Sequence, residues 1–338
     1  MAIAEVSPAH ERFAAPQHEV WRGRALGITL ESAAPFPGLP FCADGAPGRI
    51  ATWHEERAQA VDQAWQLEDG EVVVDLRHTD GRVFMRIDRR SDEGYRIWAP
   101  YYGRHLVSAD GRSIRSALPN VSPWRWQRLF FAQTLPLAAA LQGLEVFHAS
   151  AVALGGRVSA FVADSGTGKT SVAAHLVALG ATFVTDDVLA IEAAGDAVIA
   201  HPGPARLSID DSELRRIPEG QRARLGVPIG RSDKLMIEPE PTSAPLPLAG
   251  LYFLKRPASE VSRVTINEAD ATATRSLLGS GFLAYLDTPH RLRNHLEVCS
   301  AIAERTRLYE VLIPKGARAR EVAATTLAHA DGFAHHAG

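Results

Sequence analysis

The sequence predicts an α/β protein: a mixed-sheet core with flanking helices, preceded by a β-rich N-terminal half. Three observations carry this. Short β-rich runs separated by Asp-Gly turns dominate the first 122 residues. From Leu144 onward the pattern becomes strand, turn, strand, loop, helix, strand. The loop in that series, FVADSGTGKTS from Phe161 to Ser171, is one residue away from the phosphate-binding pattern G-x-x-x-x-G-K-[ST], with Ala163 in place of its first glycine. The expected boundaries are a β-rich domain over 1–122, a helical linker over 123–143 and the loop-bearing domain over 144–330.

Composition excludes several classes. Apolar residues make up 46% of the 338-residue chain, enough for a sizeable core. With 36 Lys and Arg against 39 Asp and Glu, charge offers no argument for nucleic acid or an anionic membrane as partner. Two distant cysteines, Cys42 and Cys299, argue against a disulfide framework or a cysteine-rich zinc site. No export signal opens MAIAEVSPAHERF and no apolar run is long enough for a membrane span, so a cytoplasmic location is expected.

Within the first half, Gly70 to Arg90 reads as a hairpin turning at Thr79-Asp80-Gly81, and Gly94 to Ser116 repeats the style around Asp110-Gly111. Trp124 to Gly143 is apolar at helical spacing, with Pro136 expected to kink or divide it; Trp124, Trp126, Phe130 and Phe131 read as core. Leu144–Leu154 and Arg157–Val162 form the next hairpin, around Gly155-Gly156. Lys169–Leu179 is a helix closed by Gly180, and Ala181–Thr185 a short strand ending at Asp186-Asp187. The proline-rich stretch after it reads as loops around the rim of a site. Leu248–Arg256 is a strand, Ala271–Leu286 and His290–Arg305 are helices, and LYEVLIP is the final strand. A frayed tail is expected around His329, His335 and His336, which could otherwise bind metal adventitiously.

The loop has a mechanism. Backbone N–H groups curl around an anion at a helix N-terminus, and Gly166 and Gly168 permit the backbone this needs. Lys169 supplies a cation for the β- and γ-phosphates, and the Thr170 hydroxyl a ligand for Mg²⁺. Asp164, Ser165, Thr167 and Ser171 complete the expected nucleotide contacts. A right-handed crossover lays Ala181–Thr185 parallel to Arg157–Val162, so Asp186 and Asp187 emerge on the edge that carries the loop. Two adjacent carboxylates suit metal binding and proton acceptance from an attacking hydroxyl; a solvated turn is the plainer alternative. Counting back through the hairpin sets His148 opposite Ala163, where it either tunes the acids or serves as a structural histidine.

The stretch GLEVFHASAVALGGRVSAFVADSGTGKTSVAAHLVALGATFVTDDVLAI resembles the core of HPr kinase/phosphorylase: a histidine before the hairpin, a D-S-G-x-G-K-[ST] loop and an Asp-Asp pair one crossover later. The resemblance is specific over Gly143 to Glu192; the N-terminal half does not resemble that family's regulatory domain, and its C-terminal signature is absent. It implies an HPr-kinase-like P-loop core that transfers phosphate from ATP, with Mg²⁺, to a serine hydroxyl. By position, Lys169 and Thr170 bind phosphate and metal, Asp187 is the base, Asp186 its metal- or histidine-linked neighbour, and His148 an active-site partner. The phrases FHASAVAL, TDDVLAI and HPGPARL are similar to HPr-kinase-related proteins encoded with ribosomally made peptides, some of which, in lasso-peptide clusters, phosphorylate a precursor serine. The implied partner is a peptide or protein carrying a serine hydroxyl; a homo-oligomer stays open. A kinase for a small metabolite such as free serine, and a nucleotide-binding regulatory protein without catalysis, are the alternatives. Arg206, Lys234, Lys255 and Arg256 are candidates for a further cation on the acceptor or phosphate side, or else solvated surface charges.

Overall fold

A computed structural model describes residues 20–42, 48–65, 70–257 and 261–334, with 271–274 and 331–334 as backbone only. It is a mixed α/β structure with several sheets. The N-terminal half forms one sheet from β1 (Trp21–Ala25), β2 (Ile28–Ser32), β3 (Arg49–Glu55), β4 (Glu71–Arg77), β5 (Val83–Arg90), β6 (Gly94–Ala99), β7 (Gly103–Val107) and β8 (Ser113–Ala117), with α1 (Ala58–Ala64) between β3 and β4. Their order is β1-β2-β3-β8-β7-β6-β5-β4, so β4 is an edge strand. The hairpins expected at Asp80-Gly81 and Asp110-Gly111 are the β4–β5 and β7–β8 turns.

The helical segment is α2 (Pro123–Leu129), a π-helical turn over Phe130–Thr134, and α3 (Leu135–Leu141). The helical path runs on through Pro136, but its winding changes to a π turn just before it. Proline has no N–H and its ring crowds the carbonyl four residues back, and the wider turn just before it accommodates both. The segment does not merely connect. Trp126, Phe130, Phe131 and Leu135 join Phe36 and Trp53 of the N-terminal half and Leu144, Val146 and Val188 of the following half in one continuous core. Phe36 stands at its centre, with ring centroids 4.8 Å from Trp53 and 4.7 Å from Phe130.

The second large sheet uses β9 (Glu145–Phe147), β10 (Ala149–Leu154), β11 (Arg157–Val162), β12 (Thr182–Thr185), β13 (Leu189–Ala194), β14 (Ala197–His201) and β18 (Leu246–Lys255), in the order β12-β10-β11-β18-β14-β13-β9. Two more strands, β19 (Thr265–Glu268) and β20 (Arg307–Leu312), attach through β20 to β18. Helix α4 (Lys169–Ala178) crosses from β11 to β12 and ends in a Schellman arrangement, Gly180 N–H to Val177 O and Ala181 N–H to Leu176 O, with Gly180 at φ +113°. As expected, β11 and β12 run the same way and end on one edge; they are not neighbours, because β10 lies between them, antiparallel to both.

The proline-rich stretch departs from the loops expected of it. It holds β15 (Leu207–Ile209), α5 (Asp211–Arg216), α6 (Glu219–Arg222), β16 (Val227–Arg231) and β17 (Leu235–Glu238), the strands forming a separate sheet β15-β17-β16. Pro228 sits in edge strand β16, where a missing donor is tolerated. Helix α7 (Ala271–Leu278) is shorter than expected and ends in a turn at Gly279, while α8 (Pro289–Arg305) is capped by Thr288. The frayed tail expected around His329 is instead helix: α9 (Ala319–Ala334) packs on α4, and His329 stacks edge-on against Tyr309. Apolar positions such as Val322 and Ala323, buried in the core beside α4, supply the reason. His335 and His336 lie outside the described residues. No described helix is long and apolar enough to cross a membrane.

Truncating Phe36 to alanine should open a cavity between Trp53 of the N-terminal sheet and Trp126, Phe130 and Phe131 of the helical segment, and cost about 3–5 kcal/mol. Urea unfolding of the variant checks it, and a loss below about 1 kcal/mol would show that Phe36 does not pack the helical segment onto the sheet.

Candidate functional site

The end of β11 feeds the loop Ala163–Gly168, and Gly168, at φ +109°, caps α4. Gly166 has φ +81°. A Cβ on either glycine would meet no other atom within 4 Å, so backbone conformation, not crowding, requires glycine there. Ala163, at the position of the missing first glycine, is not among the residues of positive φ, so alanine fits it without strain. Lys169 is 6% exposed, and its Nζ donates to the Ala163 carbonyl at 2.8 Å. Burial lowers its pKa, against the opposing pull of Asp187, Asp186 and Asp164.

Asp186 is the meeting point. Its Oδ1 accepts from Thr170 Oγ1 at 2.8 Å and from Ser150 Oγ at 2.7 Å, and the Ser208 amide approaches Oδ2 at 3.4 Å. Burial, and then the charge of Asp187, push its carboxyl up to about 7. Asp187 is exposed and has φ +66°, shared among non-glycine residues of the described chain only by Leu26. The Val188 N–H reaches back to the Asp186 carbonyl at 2.9 Å, closing a tight γ-turn around Asp187.

The register Ala149↔Val162 puts His148 opposite Ala163 on continuation, as expected. Its contact with the acid pair is through the backbone: Nδ1 lies 2.9 Å from the Asp187 carbonyl oxygen, and the ring stacks on Phe282. Phe282 arrives on the loop after α7, its N–H bonded to the Val146 carbonyl. Behind it sits a buried ionic cluster. Glu145 pairs with Arg291, and His295 places Nδ1 3.0 Å from Glu145 and Nε2 2.9 Å from the Leu278 carbonyl. Both ring nitrogens face acceptors, so the charged imidazolium is favoured. The Cys299 sulfur and the Glu145 carboxylate, with the Leu278 carbonyl, hold its pKa up at about 10.

The four candidate cations separate. Arg206 is 8% exposed, donates to the Trp124 carbonyl at 3.0 Å and lies over the Phe131 ring. It lines a cavity of about 380 Å³ together with Asp186 and Asp187. Its buried Nε has no hydrogen-bond partner among the described residues, and burial lowers its pKa to about 10. Lys255 pairs with Glu310 and lines a different cavity, of about 600 Å³, with His148, Asp164 and Ser165. Lys234 stands in the β16–β17 turn and Arg256 is exposed at the end of β18; neither lines a cavity with the acid pair. Of the remaining loop residues, Asp164, Ser165 and Gly166 are exposed, and Thr167, Gly168, Thr170 and Ser171 are half-buried.

Sequence reasoning missed Ser150, though a signal existed: residues two apart share a strand face, and Ser150 is two beyond His148. It also missed Glu145, His295, Phe282 and the Ser208 amide, which come from distant segments with no local pattern.

Among solved structures, the chain is similar to the Hpr(Ser) kinase/phosphatase from Coxiella burnetii, at a TM-score of 0.31 and 10% identity, over 57% of this chain and 99% of that one. No family model matches, and no curated protein matches.

Because folding raises the His295 pKa from 6.5 to about 10, the stability it contributes is complete below pH 6.5 and lost as pH rises towards 10. His295→Gln should flatten the fall in stability across that window, read from urea midpoints at intervals of pH; an unchanged slope would refute the bridging role.

Proposed function

We propose that the protein is a kinase that binds ATP and Mg²⁺ and transfers the γ-phosphate to a serine hydroxyl of a peptide or protein. The observation that carries this reading is the Thr170–Asp186 hydrogen bond, which joins the phosphate-binding loop to the acid pair at one strand edge. Nucleotide binding alone needs a loop; it does not need a second, exposed carboxylate beside the first.

Mg²⁺ fits the donors present. Thr170 Oγ1 and the Asp186 carboxylate are hard oxygen ligands 2.8 Å apart, and the raised pKa of Asp186 marks a half-buried charge that a cation would offset. When bound, the ion would neutralise charge on the β- and γ-phosphates. Lys169 is placed to exchange its bond with the Ala163 carbonyl for a phosphate oxygen, and the amides at the α4 N-terminus hold the diphosphate. Asp187, exposed and without a hydroxyl partner among the described residues, accepts the proton of the acceptor serine. The serine oxygen bonds to the γ-phosphorus as the bond from that phosphorus to the bridging oxygen breaks, and ADP leaves with the electron pair. Arg206 is the best-placed of the four cations to balance charge on the transferred group. A homo-oligomer and a cytoplasmic setting are compatible with this reading. The resemblance of FHASAVAL and TDDVLAI to the peptide-cluster kinases favours a ribosomally made, lasso-type precursor as the acceptor.

Labelled ATP with a panel of serine peptides and free serine tests the reading. Asp187→Asn should lower turnover by about 10²–10⁴-fold with ATP affinity kept, since asparagine tolerates the same left-handed backbone. Undiminished transfer by that variant would remove Asp187 as the base. ATP binding with no transfer to any acceptor would favour a regulatory nucleotide-binding protein.

A further inference from the structure

The cavity that holds Asp186, Asp187 and Arg206 is lined mainly by apolar groups, with Gln127, Arg128 and Gln133 as further polar lining. Its large apolar lining residues are Leu76, Phe84 and Met85 from β4 and β5, Leu129 and Phe131 from the helical segment, and Met236 from β17. Three separate parts of the fold therefore converge on one apolar chamber. Two of these side chains are conspicuously open: Leu76 is 47% exposed and Phe84 43%. Large apolar groups left open at the mouth of a cavity that ends on catalytic candidates mark a ligand surface more than a packing fault.

Size decides what kind of acceptor this is. A serine side chain carries one methylene and one hydroxyl. At about 380 Å³ the chamber would leave most of its apolar wall wet around free serine. A second cavity, of about 420 Å³, adjoins the first: Tyr102 and Arg128 line both, and Tyr101, Pro119 and Trp124 line the second. Tyr102 and Arg128 thus mark where the chamber borders the helical segment and the β6–β7 turn.

We infer that this chamber is an acceptor subsite for a polypeptide that places a large apolar side chain, next to its reacting hydroxyl, against Leu76, Phe84 and Met85. The inference rests on the kinase reading above and names the substrate class for it. The hydroxyl lies at Asp187, the neighbouring side chain fills the apolar chamber, and the chain leaves through the groove at Tyr102 and Arg128. The complementarity is that of an amphiphilic segment, polar at the acids and apolar at the sheet. A wholly acidic segment would set carboxylates against Asp186 and Asp187; of the two arginines in the lining, Arg206 is buried and Arg128, at the groove, already faces Asp233 at 3.9 Å.

The test uses the full chain and two serine peptides of equal length, one with phenylalanine and one with aspartate beside the serine, with free serine as a third acceptor. Transfer from labelled ATP gives KM for each, and ATP affinity is measured separately. The phenylalanine peptide should have a KM about ten-fold or more below the aspartate peptide, the preference expected from burying one large apolar side chain. Phe84→Ser and Leu76→Ser, both at the open mouth, should raise the KM of the phenylalanine peptide by a similar factor and erase the preference, with ATP affinity unchanged. Equal KM values for the two peptides, or free serine used as well as either, would overturn the subsite while leaving the kinase reading intact. So would Phe84→Ser changing sedimentation without changing peptide KM, because the patch would then be a contact between two copies of the chain. ATP binding with no transfer to any of the three acceptors would overturn both.

Discussion

One carboxylate fastens the site together. Asp186 accepts the hydroxyls of Ser150 and Thr170 on a single oxygen while the Ser208 amide approaches the other. Those donors belong to β10, to the first turn of α4 and to β15, so one side chain ties the hairpin, the start of the helix after the Gly166–Gly168 loop and the proline-rich region to the acid strand. A half-buried carboxylate without donors would be costly, and this one also faces the charge of Asp187. The donors lower its pKa, burial and Asp187 raise it, and the second pair wins. The group is poised between states.

The strand order obeys the same constraint. With β10 between β11 and β12, Ser150 lies beside the end of β12, within reach of Asp186, while Ala149 pairs with the end of β11 and brings His148 to the start of the loop. One strand thereby serves both sides of the site. The N-terminal half holds the arrangement from behind. Its β1–β2 turn donates from Leu26 N–H to the Pro202 carbonyl at 2.6 Å, and the neighbouring Gly203 N–H bonds to the Val184 carbonyl. A Cβ on Gly203 would come within 1.9 Å of Thr185 Oγ1, so backbone packs directly on the residue before Asp186. The first half is thus a wall of the site.

What the sequence made legible was local. The loop, the helix it opens, the Gly180 closure, the acid pair and the hairpin register at His148 all come from short patterns whose physics lies within a few residues. The rest depended on contacts across the chain. Leu76 and Phe84 alternate like any half-buried strand residues, and nothing near them says that they share a cavity with Asp187, far along the chain. Arg206 read as one basic residue among four; only its burial, its orphaned Nε and its place in the acid-lined cavity set it apart. The strands β15, β16 and β17 were hidden by prolines that an edge strand tolerates.

Neighbouring residues on a strand point to opposite faces, so an Asp-Asp pair continued as a strand would send one carboxylate to each side of the sheet. Here both line the same cavity. The difference is the γ-turn: at φ +66° Asp187 leaves the strand path, and the 2.9 Å bond between Val188 N–H and the Asp186 carbonyl closes the chain behind it. A non-glycine residue held in that region costs about 1–3 kcal/mol and persists only where its surroundings over-determine it. Those surroundings are identifiable. Thr185 Oγ1 donates to the Val188 carbonyl, and His148, stacked on Phe282, holds the Asp187 carbonyl. Strain at Asp187 is therefore what turns a common dipeptide into two carboxylates in different surroundings. One is tied inward among hydroxyls; the other is turned outward to the open cavity.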